Sequence, residues 1–134
     1  MNKYFTTYEQ SQRLLKFGVP VDTADAYYVF GEDGTVSDED LFILDGETYS
    51  EAVKKIDENV GKEIISPNNV VSAWSLWRLI RIIKECGIGD WNKQDIMNNI
   101  LKEDSRMMVP VAVMEITKLI DKNLIDFSKF KMED

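Results

Sequence analysis

Apolar residues are spaced differently in the two halves of this chain, and the spacing predicts most of its elements. Thr7-Tyr8-Glu9-Gln10 has the capping-box pattern, a hydroxyl at the N-cap and a glutamine three residues on. It predicts a short helix over Tyr8–Phe17. Gly18 follows as a left-handed end, Val19 can pack back on Leu14 or Leu15, and Pro20 prevents the helix from resuming. Val21-Asp22-Thr23-Ala24-Asp25 then reads as a turn, because Asp and Thr side chains bond backbone amides two or three residues further along. The aromatic and β-branched run Ala26–Phe30 predicts a strand, Gly31–Gly34 turns the chain, and Leu41–Leu44 predicts a second strand closed by Asp45-Gly46. The two strands are expected to pair as an antiparallel hairpin whose long acidic connection leaves the register open.

Ser50–Val60 has Ala52, Val53, Ile56 and Val60 at helical spacing, with Gly61 as its stop. Ser66-Pro67-Asn68-Asn69 breaks the chain, and Val70-Val71 offers a short third strand. From Trp74 onwards the period is helical. Ser72 or Ser75 can cap a helix with Leu76, Leu79, Ile80 and Ile83 on one face, ending near Cys86-Gly87. Asn92 opens another helix, with Ile96, Met97, Ile100 and Leu101 inward. A last helix runs from near Pro110 to about Lys122, with Val113, Ile116, Leu119 and Ile120 inward and Asn123 in the left-handed cap. Leu124–Phe127 is expected to dock as an edge strand or an extended segment.

Strands clustered together, without regular alternation of strand and helix, argue for an α+β fold. The expected architecture is a small antiparallel hairpin or three-stranded sheet packed against four to five helices, with a mainly helical C-terminal half. A length of 134 residues and a hydrophobic content of 44% suit one globular domain over residues 1–134.

Charge adds a second pattern. Between Lys16 and Lys54 stand ten carboxylates and no basic residue: Asp22, Asp25, Glu32, Asp33, Asp38, Glu39, Asp40, Asp45, Glu47 and Glu51. With a net charge of −8, that stretch repels nucleic-acid phosphate and favours cations or basic partners. Direct nucleic-acid binding is therefore not expected. A helix-turn-helix reading of the last three helices fails on the same ground, since Lys93 and Lys102 are offset by Asp95 and Glu103. The lone Cys86 cannot form an internal disulfide, and the polar opening Asn2–Arg13 is unlike a secretion signal. A cytoplasmic location is expected. The longest apolar run, Met107–Met114, is interrupted by Pro110 and is far shorter than the roughly 18 residues of a spanning helix, so no membrane partner is expected.

The chain contains no histidine, which removes Ser-His-Asp, Cys-His and His-metal chemistry. Cys86, late on an apolar helix, reads as an inert buried thiol. Asp33–Asp40 has oxygen side chains at alternating positions, as calcium loops do. It departs from that pattern where a glycine is required, at Asp38, and where a bidentate glutamate is required, at Leu44. Asp22 and Asp25 can share a cation or act as a carboxylate pair, while turn capping, the favoured reading, also accounts for them. Trp74 and Trp77, three apart, fall near one side of a helix start, and Tyr27 and Tyr28 point to opposite faces of their strand. At least one of each pair should be exposed. Arg78 and Arg81 are expected on the outer face of the Trp77 helix.

The opening run from Tyr4 to Asp25, the Tyr27-Tyr28 pair and Ala73-Trp74-Ser75-Leu76 resemble a group of small uncharacterised α+β proteins of Bacteroides-type gut bacteria and their phages or integrated elements. The resemblance covers residues 4–28 and 73–83. It implies a cytoplasmic protein of mobile-element origin and supplies no catalytic residues.

The function these features predict is that of a non-enzymatic phage or mobile-element accessory protein acting through protein–protein contacts, with a protein partner or a homo-oligomer. Its expected face is Trp74, Trp77 and Arg78 with Tyr27 and Tyr28, and no cofactor is expected. One alternative is a carboxylate-based metal-binding protein or hydrolase using Asp22, Asp25, Asp33 and Asp38. Another is an acidic DNA mimic that inhibits a basic nucleic-acid-binding protein.

Overall fold

The computed structural model describes residues 3–29, 41–58, 70–89 and 93–131. Helix α1 (Tyr8–Lys16) begins as its capping box requires. The Thr7 hydroxyl accepts from the Gln10 amide at 3.1 Å, and the Gln10 side-chain oxygen accepts from the Thr7 amide at 2.9 Å. Gly18 (φ +95°) ends it in the left-handed region. From there the Gly18 and Val19 amides donate back to the Leu15 and Leu14 carbonyls, both at 3.0 Å, and Val19 joins Leu14 in the core.

After a single 3-10 turn, Val21–Thr23, strand β1 (Ala26–Val29) runs through the middle of an antiparallel sheet between β2 (Leu41–Ile43) and β3 (Val70–Ala73). Tyr27 faces Phe42 on one side and Ser72 on the other, fixing the register. Alternation along β1 buries Ala26 and Tyr28 against Val71 and Ala73, and leaves Tyr27 half-exposed, stacked on Phe42 with ring centres 5.4 Å apart. The sheet is thus the three-stranded form of the expected fold, with helices following it as expected.

Helix α2 (Tyr49–Glu58) starts one residue before the expected Ser50, because Thr48 and Glu51 form a second capping box. Its expected end at Val60-Gly61 lies outside the described residues. Three helices complete the chain: α3 (Leu76–Cys86), α4 (Lys93–Leu101) and α5 (Met108–Asp121). Their shared core holds Leu79, Ile82, Ile83, Ile100 and Ile116 without solvent exposure. Each such side chain contributes roughly 1.5–3 kcal/mol relative to exposure. The face of α3 sits slightly off its prediction, since Ile82 is fully buried and Ile80 half-buried. On α4, Leu101 was expected inward and is 52% exposed, at the last residue of the helix, whereas Met97 and Ile100 are buried and half-buried Ile96 packs against the core. Pro110 sits in the first turn of α5, where a missing amide is harmless, and Asn123 takes the left-handed cap with φ +57°.

The segment after α5 docks as extended residues 124–126 followed by a 3-10 turn, Phe127–Lys129. Ile125 bridges Gly87, and the Ile88 and Asp126 amides donate to the Leu124 and Cys86 carbonyls at 2.9 and 2.7 Å. It ends on Phe130, buried beneath the guanidinium groups of Arg78 and Arg81, which stand 5.3 and 4.6 Å from its ring centre. Arg81 pairs with Glu85 at 2.6 Å and donates to the Lys131 carbonyl. Arg78 and Arg81, expected on the outer face of their helix, therefore hold down the segment that follows α5. Among the described residues no helix is long and apolar enough to cross a membrane.

Candidate functional site

Five of the ten carboxylates in the base-free stretch converge on one cleft of about 500 Å³: Asp22, Asp25, Asp45, Glu47 and Glu51, with Arg78 on its wall. Four of them, Asp22, Asp25, Glu47 and Glu51, have structural work. The Asp22 carboxylate accepts from the Ser50 amide at 2.9 Å, adding an acceptor to the first turn of α2. Asp25 grips the start of α3. One of its oxygens accepts from the Ser75 amide at 2.8 Å and the other from the Ser75 hydroxyl at 2.5 Å, while that hydroxyl caps α3 by accepting from the Arg78 amide at 3.1 Å. Asp22 and Asp25, three apart in sequence, thus fasten two helix N-termini.

Glu51 is held below the ordinary carboxylate range by its bonds from the Thr48 amide and hydroxyl. Glu47 pairs with Lys55 at 2.6 Å and raises the lysine's affinity for its proton through that hydrogen bond and its charge. Burial, and then the charge of Glu47, raises the phenol of Tyr27. Among the described residues no group of three carboxylates or thiols is placed to hold a metal ion. Asp33 and Asp38 lie outside the described residues, as does most of the calcium-like loop.

The aromatic candidates separate. Trp74 precedes the cap of α3 instead of lying on its first turn, so the expectation that it shares a face with Trp77 is corrected. Its ring is fully buried, and its indole N–H donates to the Thr23 hydroxyl at 3.0 Å. Tyr28 is likewise interior, and its hydroxyl donates to the Thr6 carbonyl at 2.8 Å. Neither side chain can meet a partner. Arg78 is half-buried between the Thr23 carbonyl and the Phe130 ring, and Tyr27 stacks within the sheet.

Trp77 is the exception, at 66% exposure the most open large hydrophobic side chain among the described residues. It lines a second cleft of about 500 Å³ with Tyr4, Phe5, Ser75, Ser105 and Met108. Residues 4–6 reach that place because they run beside the end of β3. The Thr6 amide donates to the Trp74 carbonyl at 2.8 Å, and the Leu76 amide to the Tyr4 carbonyl at 2.7 Å. Tyr4, 41% exposed, adds to the apolar surface of that cleft. Sequence reasoning missed Tyr4 and Met108, because no local period joins residue 4 to residues 77 and 108. Thr48 was missed despite a legible signal, since Thr48-Tyr49-Ser50-Glu51 repeats the box of α1. No family model, curated protein or solved structure matches the chain.

Proposed function

We propose that this protein is a non-enzymatic accessory protein that acts by protein–protein contact through the Trp77 face. The observation that carries the reading is Trp77 itself, an indole left mainly in solvent beside an apolar cleft. Leaving that much apolar area in water forgoes burial worth about 25 cal/mol per Å², and Trp is, with Tyr and Arg, enriched among the residues that dominate binding energy at interfaces. Its neighbour Trp74 is folded inward with its N–H satisfied, so the fold has a way to bury an indole and does not use it at residue 77.

The test compares the wild-type chain with Trp77→Ala in sedimentation velocity and in affinity capture from the producing cell. The reading expects self-association or a specific captured partner to be lost in the variant, whose circular dichroism stays native because the side chain is exposed. If assembly and capture are both unchanged, the face is wrong.

A further inference from the structure

The Trp77 cleft adjoins another of about 370 Å³, and Phe5 forms part of both walls. The second is lined by Lys3, Thr7, Gln10, Arg106 and Pro110 among others. Lys3 and Arg106 are the charged side chains lining the joined surface, and both are cations. On a chain of net charge −8, one of whose other clefts is walled by five carboxylates, that is a local reversal of sign. The Lys3 ammonium lies 5.2 Å from the Tyr4 ring centre, which ties the cationic edge to the aromatic floor. Arg106 pairs with Asp104 at 3.8 Å, but the two side chains are 84% and 62% exposed, so water and salt screen the pair and leave the guanidinium open to exchange.

We infer that the occupant of this face is an acidic segment of a partner protein carrying a large apolar anchor, an inference that rests on the contact function proposed above. The anchor seats between Trp77, Tyr4 and Met108, whose thioether adapts to irregular shapes. Carboxylates flanking the anchor reach Lys3 and Arg106 at the rim, where charge complementarity selects the partner and speeds encounter. A basic segment is drawn instead to the acidic cleft. Nucleic acid does not fit, because two cations neutralise too few phosphates against the field of the whole chain.

The test pans a library of random displayed peptides against the full chain, then measures the affinities of the selected peptides, made synthetically and fluorescently labelled, by anisotropy. The expected peptides are net acidic with an aromatic or leucine anchor. Their affinity falls at least about tenfold with Trp77→Ala and several-fold between roughly 0.05 and 0.5 M salt. Selection against the Lys3→Glu/Arg106→Glu double variant is expected to abandon acidic peptides.

Neutral or basic peptides that still require Trp77 would overturn the acidic partner while leaving the contact face standing. Peptides indifferent to Trp77→Ala, or no enrichment at all, would remove this inference, and sedimentation and capture by the same variant then decide separately whether the face survives. A dimer of the wild-type chain that Trp77→Ala dissolves would assign the face to a second copy and likewise overturn the acidic segment.

Discussion

Replacing Asp25 with alanine separates a carboxylate that builds the fold from one kept for chemistry. In the native chain Asp25 accepts from the Ser75 amide at 2.8 Å and from the Ser75 hydroxyl at 2.5 Å, at the N-terminus of α3. Hydrogen bonds to a charged group contribute about 1.5–3 kcal/mol each, and a negative charge at a helix start adds about 0.3–1 kcal/mol. Because the carboxylate is half-buried and water replaces part of what is lost, the sum is discounted to about 3 kcal/mol. For a chain of 134 residues this is a fall in Tm of roughly 10 °C. The assay is urea unfolding followed by far-ultraviolet circular dichroism and tryptophan fluorescence, with Asp25→Asn and Ser75→Ala alongside. Asn keeps one acceptor for the Ser75 amide, so it is expected to cost about half as much as Ala. The Asp25→Ala/Ser75→Ala double variant is expected to cost clearly less than the sum of the singles, since both remove the same contact. A stability for Asp25→Ala within about 0.5 kcal/mol of wild type, or above it, would refute the fastening role. It would show the carboxylate held in the cleft against its acidic neighbours, as functional sites commonly are.

Thr6→Val keeps the side-chain shape but removes an oxygen that accepts from the Trp74 amide at 3.0 Å and bonds the Ser11 hydroxyl at 2.8 Å, all fully buried. A loss of about 2–3 kcal/mol in the same unfolding assay is expected, partly relieved by adding Ser11→Ala. Burial pushes the Cys86 thiol up to about 11, so at pH 8 a disulfide reagent is expected to label the native chain at least about a hundredfold more slowly than the urea-unfolded chain; equal rates would contradict the packing around α3. Burial draws the Glu85 carboxyl upward, but the Lys131 amide and the Arg81 guanidinium outweigh it and hold it below its ordinary value of 4.5. The unfolded chain therefore takes up that proton more readily, so the contribution is complete above pH 4.5 and is lost as pH falls through the folded value. Stability is expected to decline more steeply below that pH in wild type than in Glu85→Gln, and parallel pH profiles would show that Glu85 does not anchor the chain end.

The candidate site was only partly legible in the sequence. Spacing of three put Trp74 and Trp77 on one side, whereas the structure buries the first and exposes the second, and period two placed Tyr27 and Tyr28 on opposite faces. Neither rule could say which tryptophan turns inward. That depends on Thr23, which meets the Trp74 indole across 51 residues of chain. The acidic run was visible as a run, but the convergence of Asp22, Asp25, Asp45, Glu47 and Glu51 on one cleft needs the sheet and α2 to bring them together.

By itself the sequence determined what short-range chemistry controls: the capping boxes, the glycine and asparagine that end α1 and α5, the alternation of β1 and the helical stripes of the C-terminal half. Each is settled within about four residues, by a side chain bonding nearby backbone or by the period of the element. The tertiary structure decided what depends on contacts across tens of residues. Asp22 reaches α2 over 28 residues and Asp25 reaches α3 over 50. Arg81 holds Lys131 over 50, and Tyr4 shares a cleft with Trp77 only because residues 4–6 pair beside the end of β3. Such contacts follow from how the apolar faces close on one another, a property of the whole core that no local pattern along the chain contains.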